Sequence, residues 1–415
     1  MSQVGDAHHH GPVGYSLGID LGTTFTAAAV ARADGQVEPF ALGDRTAAIP
    51  TVVVLRADGE ILVGEAAERR SLSEPGRTAR EFKRRLGDPV PLVIGGTPYG
   101  AETLMAKVLA HTIERVTEQE GAPPDRVAVT HPASWGPFKI DLLQQAVRQA
   151  GLDSVELLSE PQAAAIQYAA VDRLDPGQIV AIYDFGGGTF DAAVLRRDDE
   201  GFTQLGRPEG LERLGGIDID QAVLAHVDQA LGGQLREADA NDPAVAAALS
   251  RLRDECTATK EALSADTDAS VLVGLPGLQT EVRVTRGELE SMIRPRLAET
   301  VAALRRAVSS AGLEMEQVDR ILLVGGTSRI PLVAQVVRTE TGRPVAVDAN
   351  PKLVVAMGAA RWAVGSGAYA TGVVPPPIAA AAVTAAVATA AVRQPTAADE
   401  PVTAPVSAPA AARAG

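Results

Sequence analysis

The apolar positions of this chain fall into two blocks of similar design. The first opens with YSLGID and TAAAVAR, apolar runs of strand length separated by glycine and threonine, with a turn at 33–35. PTVVVLR and EILVGEAAERR read as two strands around Ala57-Asp58-Gly59, a hairpin signal. Residues 99–119 carry helical spacing, PPDRVAVTHPASW reads as a strand and then a loop, and IDLLQQAVRQAGL as a helix ending at Gly151. The second block opens on QIVAIYDFGGGTFDAAVLRR, again strand, glycine turn, strand. Helices are predicted over about 218–234 and 242–264, and a hairpin over about 269–284. Thr285-Arg286-Gly287-Glu288 fits a capping box, in which hydroxyl and carboxylate satisfy orphan N–H groups of a helix start. Leu289, Met292, Ile293, Leu297, Val301, Leu304 and Val308 then mark one apolar face, and Pro295 is expected to kink the helix. VDRILLVGGTSRIPLV reads as strand, glycine turn and helix start.

Composition adds limits. The 415 residues suit two or three domains or one large two-lobed unit. Hydrophobic content is 46% but only 3% is aromatic, so the core is expected to be aliphatic and rich in alanine. The net charge of −14 disfavours a nucleic-acid or acidic-membrane partner, because phosphate backbones are captured by basic faces. A small anion is not excluded, since backbone N–H groups can hold phosphates in an acidic protein. The single cysteine, Cys256, allows no intrachain disulfide, and the N-terminus shows no signal peptide, so a cytoplasmic protein is expected. Residues 1–12 read as a flexible leader. Residues 366–415 are almost wholly Ala, Val, Pro, Thr and Gly and read as a disordered low-complexity tail. Its apolar stretch 378–392 is too short and too alanine-rich for a membrane span.

The chemistry concentrates in a repeat. Ile19-Asp20-Leu21-Gly22-Thr23-Thr24 follows one apolar strand, and Tyr183-Asp184-Phe185-Gly186-Gly187-Gly188-Thr189 follows another. Each has an aspartate at a strand end, then glycine, then threonine. Glycines permit tight turns and bring backbone N–H groups close to phosphate oxygens. Threonine hydroxyls add donors, and Asp20 and Asp184 can hold the magnesium that accompanies a polyphosphate, often through its waters. One such turn is common in ordinary sheets. Two, facing each other from similar lobes, would clamp the β- and γ-phosphates. A third element, Val324-Gly325-Gly326-Thr327-Ser328-Arg329, also closes a strand and opens a helix, and after the first two it reads as an adenosine contact.

At this point the chain resembles a known family. GIDLGTT, FKRRLG, VTHPASW, LLSEPQAAAIQY, YDFGGGTFD, LGGIDID and ILLVGGTSRIPLV occur in order between about Gly14 and Trp362. They are similar to the motifs of the ATPase domain of seventy-kilodalton heat-shock chaperones, within the actin and sugar-kinase superfamily. The resemblance implies a two-lobed, actin-like α/β fold of duplicated ribonuclease-H-like domains. Lobe I is expected over 13–178 and lobe II over 179–365, with ATP or ADP and Mg2+ at the bottom of the cleft. It implies that Asp20 and Asp184 stand beside the metal. Gly22, Thr23, Thr24 and Phe25 would form the first phosphate loop, and Gly186, Gly187, Gly188 and Thr189 the second, with Gly216 of LGGIDID also at the nucleotide. It further implies that Lys83 reaches the γ-phosphate and the attacking water, that Glu160 lies near that water, and that Asp191 is the second aspartate of its motif. Pro132 matches a proline that relays nucleotide state between lobes. Lys260 and Ser264, four apart and so on one helix face, match the adenosine-contacting helix; Gly325, Gly326, Thr327, Ser328 and Arg329 match the opposite wall. Three positions depart from the pattern. Thr257 stands for a glutamate of animal cytosolic members, Glu261 for an arginine over the adenine, and Lys352 for an aspartate. These bear on base affinity and selectivity, not on phosphate chemistry.

The resemblance implies slow hydrolysis of ATP by in-line attack of water, with lobe closure reporting the nucleotide and with co-chaperones or a nucleotide-exchange factor as partners. A complete family member continues through a leucine-rich linker into a peptide-gripping β-sandwich. GSGAYATGVVPPP does not match that linker, so direct binding of client peptides is not expected of this chain. Two other readings stay open: a non-enzymatic, actin-like nucleotide sensor or scaffold, and a small-molecule kinase.

Overall fold

Each apolar block folds around its own sheet. The computed structural model describes residues 14–369 apart from Arg45, Arg173, Glu200, Ala240, Asn241 and Ala349, with the backbone alone for 366–369. In the first block β1 (Tyr15–Leu21), β2 (Phe25–Arg32) and β3 (Val37–Phe40) form an antiparallel meander, and β4 (Ala48–Pro50) pairs with β2. β5 (Val53–Leu55), β6 (Ile61–Val63) and, after α1 (Gly64–Ser71), β7 (Thr78–Ala79) make a small separate sheet; β8 (Leu92–Ile94) and β9 (Thr97–Tyr99) make a hairpin. α2 (Ala101–Glu120), β10 (Arg126–His131), α3 (Pro137–Gln149), β11 (Glu156–Ser159) and α4 (Glu160–Val171) complete the block. β10 lies parallel to β1 and β11 parallel to β10, which gives the order β11-β10-β1-β2-β3.

The second block repeats this plan. β12 (Ile179–Phe185), β13 (Phe190–Arg197) and β14 (Phe202–Leu211) form the meander. There follow α5 (Gly216–Ala230), α6 (Gln234–Glu237), α7 (Pro243–Ala262), the hairpin of β15 (Asp268–Leu275) and β16 (Leu278–Thr285), and α8 (Arg286–Ser310). β17 (Arg320–Val324), α9 (Pro331–Thr341), β18 (Val345–Val347) and α10 (Val354–Tyr369) end it. β17 is parallel to β12 and β18 to β17, so the order β14-β13-β12-β17-β18 matches the first sheet strand for strand. This is the expected two-lobed α/β fold.

Local signals act as the sequence indicates. The Thr285 hydroxyl accepts from the Glu288 N–H at 3.2 Å while Glu288 Oε2 accepts from the Thr285 N–H at 2.8 Å, closing the capping box at the start of α8. α8 then runs unbroken through Pro295, burying Leu289, Ile293, Leu297, Val301, Leu304 and Val308. The pleat of β1 sends Leu17, Ile19 and Leu21 into the lobe I core with Leu104, Val108 and Val129. In lobe II, the rings of Tyr183, Phe185 and Phe190 meet edge to face, with centroids 4.6–6.3 Å apart, beneath the second glycine turn. That anchor uses three of the chain's few aromatics where a turn must be held still.

The last helix ties the two lobes together. α10, placed with lobe II by its order in the chain, packs on β1, β2 and β10 of lobe I and against α4. α4 in turn packs through Ala163, Ala164 and Ala165 among Val180, Ile182, Leu195 and Leu322 of the lobe II sheet. The two helices therefore cross between the lobes. Small side chains make this possible: a Cβ on Gly18 would lie 2.2 Å from the Ala360 nitrogen, and one on Gly358 1.8 Å from the Ala163 carbonyl oxygen. α10 also continues to Tyr369, beyond the expected start of the tail at 366; the expected leader and the tail from Ala370 lie outside the described residues.

Candidate functional site

The two glycine turns meet. A Cβ on Gly187 would stand 2.0 Å from the Thr24 hydroxyl, and one on Gly188 2.4 Å from the Thr23 methyl, so only glycine lets the second turn close on the first. The second turn is tied by the Gly186 N–H to Thr189 O (3.0 Å), and the start of α5 docks on it through Gly216 N–H to Gly186 O (3.0 Å) and Ile217 N–H to Gly187 O (2.8 Å). The Thr327 hydroxyl of the third turn donates to the same Gly186 oxygen at 2.8 Å. The second and third turns thus share one cluster of backbone, and the Thr23 and Thr24 side chains of the first turn lie against it. The Thr24 hydroxyl is buried and has no hydrogen-bond partner among the described residues, a vacant donor at the mouth of the first turn.

Three buried carboxylates, the half-buried carboxylate of Asp20 and one buried ammonium lie beside these turns. Asp20 is the last residue but one of β1 and accepts from the Thr130 hydroxyl of β10 at 3.1 Å. Asp184 sits near the end of β12, paired across the hairpin with Asp191 of β13, which accepts from Ser134 at 2.6 Å. Glu160 is the first residue of α4, capped by Ser159. Lys83 lies in the short turn Phe82–Arg85 and donates to Glu160 Oε1 at 2.7 Å; both are buried. Glu81, two residues earlier, has φ 57°, the left-handed region and the sole non-glycine case among the described residues. This turn of the chain sends Phe82 into the core and Lys83 to the cleft.

Burial and then Glu160 push Asp20 up to about 7, against the pull of Lys83 and Thr130. The same two influences, in that order, raise Asp191 to about 7, against Ser134 and Lys83. Asp184 is held well above the carboxylate range by burial, then by Glu160, Asp191 and Asp20. Burial alone would lower Lys83, but Glu160, Asp20 and Asp191 together outweigh it and hold the ammonium charged. With one cation among four acids, Asp20, Asp184 and Asp191 resist ionisation, and added positive charge would favour their charged forms. Hard carboxylate oxygens suit magnesium, which keeps several waters and takes phosphate oxygens. Among the described residues no three His, Cys, Asp or Glu side chains converge as a metal cage, so a cation here would need ligands beyond Asp20 and Asp184.

A cavity of about 830 Å³ runs between the lobes, of a size to take a nucleotide. Its walls hold Asp20, Gly22, Thr23, Thr24 and Phe25; Lys83 and Glu160; Asp184, Gly186, Gly187, Gly188 and Thr189; Gly216, Lys260 and Ser264; and Gly325, Gly326, Thr327 and Arg329. Two of the expected site residues stand behind the wall: Asp191, bound by Ser134, and Ser328, whose hydroxyl donates to Val324 O at 2.6 Å. Lys260 is held by Asp220 at 2.8 Å and donates to Gly216 O at 3.3 Å. The Pro132 oxygen accepts from the Trp135 N–H at 3.2 Å, which folds the loop that carries Ser134 to Asp191.

Some partners escaped the sequence reading. Trp135 lies under Lys83, whose ammonium is 5.6 Å from the ring centroid; Ser134, Trp135 and Asp220 all sit inside motifs read from the sequence, without a role assigned. Thr130 sits in the same motif as Ser134 and Trp135, likewise without a role assigned.

Comparison with known proteins gives two findings. A family profile described as Hsp70 protein matches residues 16–372. The chaperone protein DnaK of Thermosipho melanesiensis is 34% identical over 358 residues, covering 83% of this chain. The chain spans 58% of that relative's length.

Proposed function

Because the chain belongs to the Hsp70 family, we propose that its cleft binds ATP with magnesium and hydrolyses it to ADP and phosphate, slowly, as a nucleotide-driven switch. The observation that carries this reading is the closure of two glycine–threonine turns, one per lobe, over four carboxylates, three of them buried, and Lys83. Neutral ligands would not relieve that charge pattern, whereas a metal-bound polyphosphate does. Asp20 and Asp184 would hold the magnesium, which when bound neutralises phosphate charge. The turns' N–H groups and the Thr23, Thr24 and Thr189 hydroxyls seat the phosphates. Lys83 offsets charge on the γ-phosphate and orients the attacking water, and Glu160 fixes Lys83 through their 2.7 Å bond. Ser134 holds Asp191 in the second hairpin, so this loop of lobe I senses the lobe II turn directly. The relative's name as a chaperone supports a role in protein folding; a cytoplasmic location and co-chaperones or an exchange factor as partners belong to the same proposal.

The test is calorimetric titration with ATP and ADP in magnesium, run beside a phosphate-release assay. Binding with release of phosphate in the absence of any acceptor is the expected result. Binding without release favours a nucleotide sensor, and no binding overturns the reading.

A further inference from the structure

On the wall formed by α7 and the third glycine turn, one lysine touches three of the elements that ring the cleft. Lys352 lies in the loop between β18 and α10. Its stem lies against Gly326, where an added Cβ would stand 3.4 Å from Lys352 Cε. Its ammonium is 3.9 Å from the ring centroid of Phe25, the residue after the first turn. It is 3.8 Å from Glu261 Oε1 on α7. All four residues line the same cavity.

This ammonium is poorly paired for its setting. Burial lowers its pKa from the ordinary lysine value, and Arg329 and Lys260 add repulsion against the pull of Glu261. At 3.8 Å the Glu261 contact is too long for a hydrogen bond, and the Glu261 side chain is 57% exposed, so the pair contributes little. The other nearby acid, Asp220, is taken by Lys260 at 2.8 Å. A half-buried cation with a weak, solvated partner is set to exchange that partner for a stronger anion. The Phe25 ring places it beside the turn that seats phosphates in the function proposed above, on which this inference rests.

We propose that Lys352 is a nucleotide-binding residue that leaves Glu261 and pairs with the phosphate chain of a bound nucleoside di- or triphosphate. Glu261 is then its competitor: it holds the lysine until a nucleotide binds and then gives it up. Two of the three departures from the family pattern, Glu261 and Lys352, become one device, a cation with its own displaceable counter-charge.

The test is titration of the full chain with ADP, ATP and adenosine in magnesium. Lys352→Met is expected to weaken ADP and ATP about tenfold, the order of a lost charge-assisted bond, with adenosine unchanged. Lys352→Arg retains most of the affinity, which separates charge from folding. Glu261→Gln tightens ADP and ATP by about two- to threefold, since the lysine no longer has to leave a carboxylate. In turnover, Lys352→Met raises KM with little change in kcat. Equal affinity of wild type and Lys352→Met for ADP and ATP overturns the proposal, as does an equal loss for adenosine. Absence of any nucleotide binding by the wild type overturns the ATPase reading itself, which is a separate result.

Discussion

Lys83 shows how much a single residue depends on distant partners. It is the one ammonium set among Asp20, Glu160 and Asp191, and it is bonded to Glu160 from the far end of the lobe I sheet. Lys83→Met keeps the stem's apolar packing and removes the charge. Phosphate release should fall by roughly 10²–10³-fold, the usual cost of losing a charged group aimed at developing negative charge. ATP affinity in calorimetry should stay within about one order of magnitude, because the turns and the metal site are intact. Turnover equal to wild type would remove Lys83 from the chemistry. Much of this site is legible in the sequence because its parts are local: strand, aspartate, glycine, threonine, twice over. Thr130 on Asp20, Ser134 on Asp191 and Trp135 under Lys83 are not, since each pairs residues tens of positions apart and a lone Thr, Ser or Trp carries no spacing to read.

At the scale of elements, the alanine content of the chain has a structural purpose. α4 and α10 approach closely enough that Gly358 faces the Ala163 carbonyl with no room for a side chain. Gly358→Val should destabilise the protein by about 2–3 kcal/mol, an overpacked helix contact, read as a lower denaturation midpoint. Gly287→Ala is the control. Gly287 lies in the first turn of α8, where an added Cβ meets nothing within 4 Å, and better helix propensity should stabilise by up to about 1 kcal/mol. A similar loss in both variants would mean that crowding at the helix crossing is not the cause. The same alanines explain why the packing of α10 on the lobe I sheet is not legible in the sequence. Buried on more than one face, α10 has no single apolar stripe to name the sheet it covers, and order along the chain assigns it to the nearer lobe. β14 escapes the pattern for the opposite reason: its residues are all half-buried or exposed, so no alternation marks it.

For the whole molecule, the decisive property is that charge and closure belong to both lobes at once. Asp20 and Lys83 come from one lobe and Asp184 from the other, and the turns that would seat the phosphates press on each other. A ligand held there binds only the native arrangement, so it stabilises the folded protein by mass action, about 2.7 kcal/mol at a concentration one hundred times Kd. For a unit of this size that is a rise in Tm of a few degrees. The metal and the nucleotide should act together rather than separately. Magnesium alone finds only two carboxylates and no third side-chain ligand among the described residues, so it should move Tm by under about 1 °C. ATP alone brings a polyphosphate to acids that one ammonium already fails to balance, so with a chelator present its shift should largely vanish. Only the two combined supply net attraction, and differential scanning fluorimetry with ATP, magnesium, both, and both plus chelator separates these cases. A full shift from magnesium alone would mean that the carboxylates already form a complete metal site. A full shift from ATP in chelator would mean that the acids do not face the phosphates, and the clamp formed by the two turns would then hold something else.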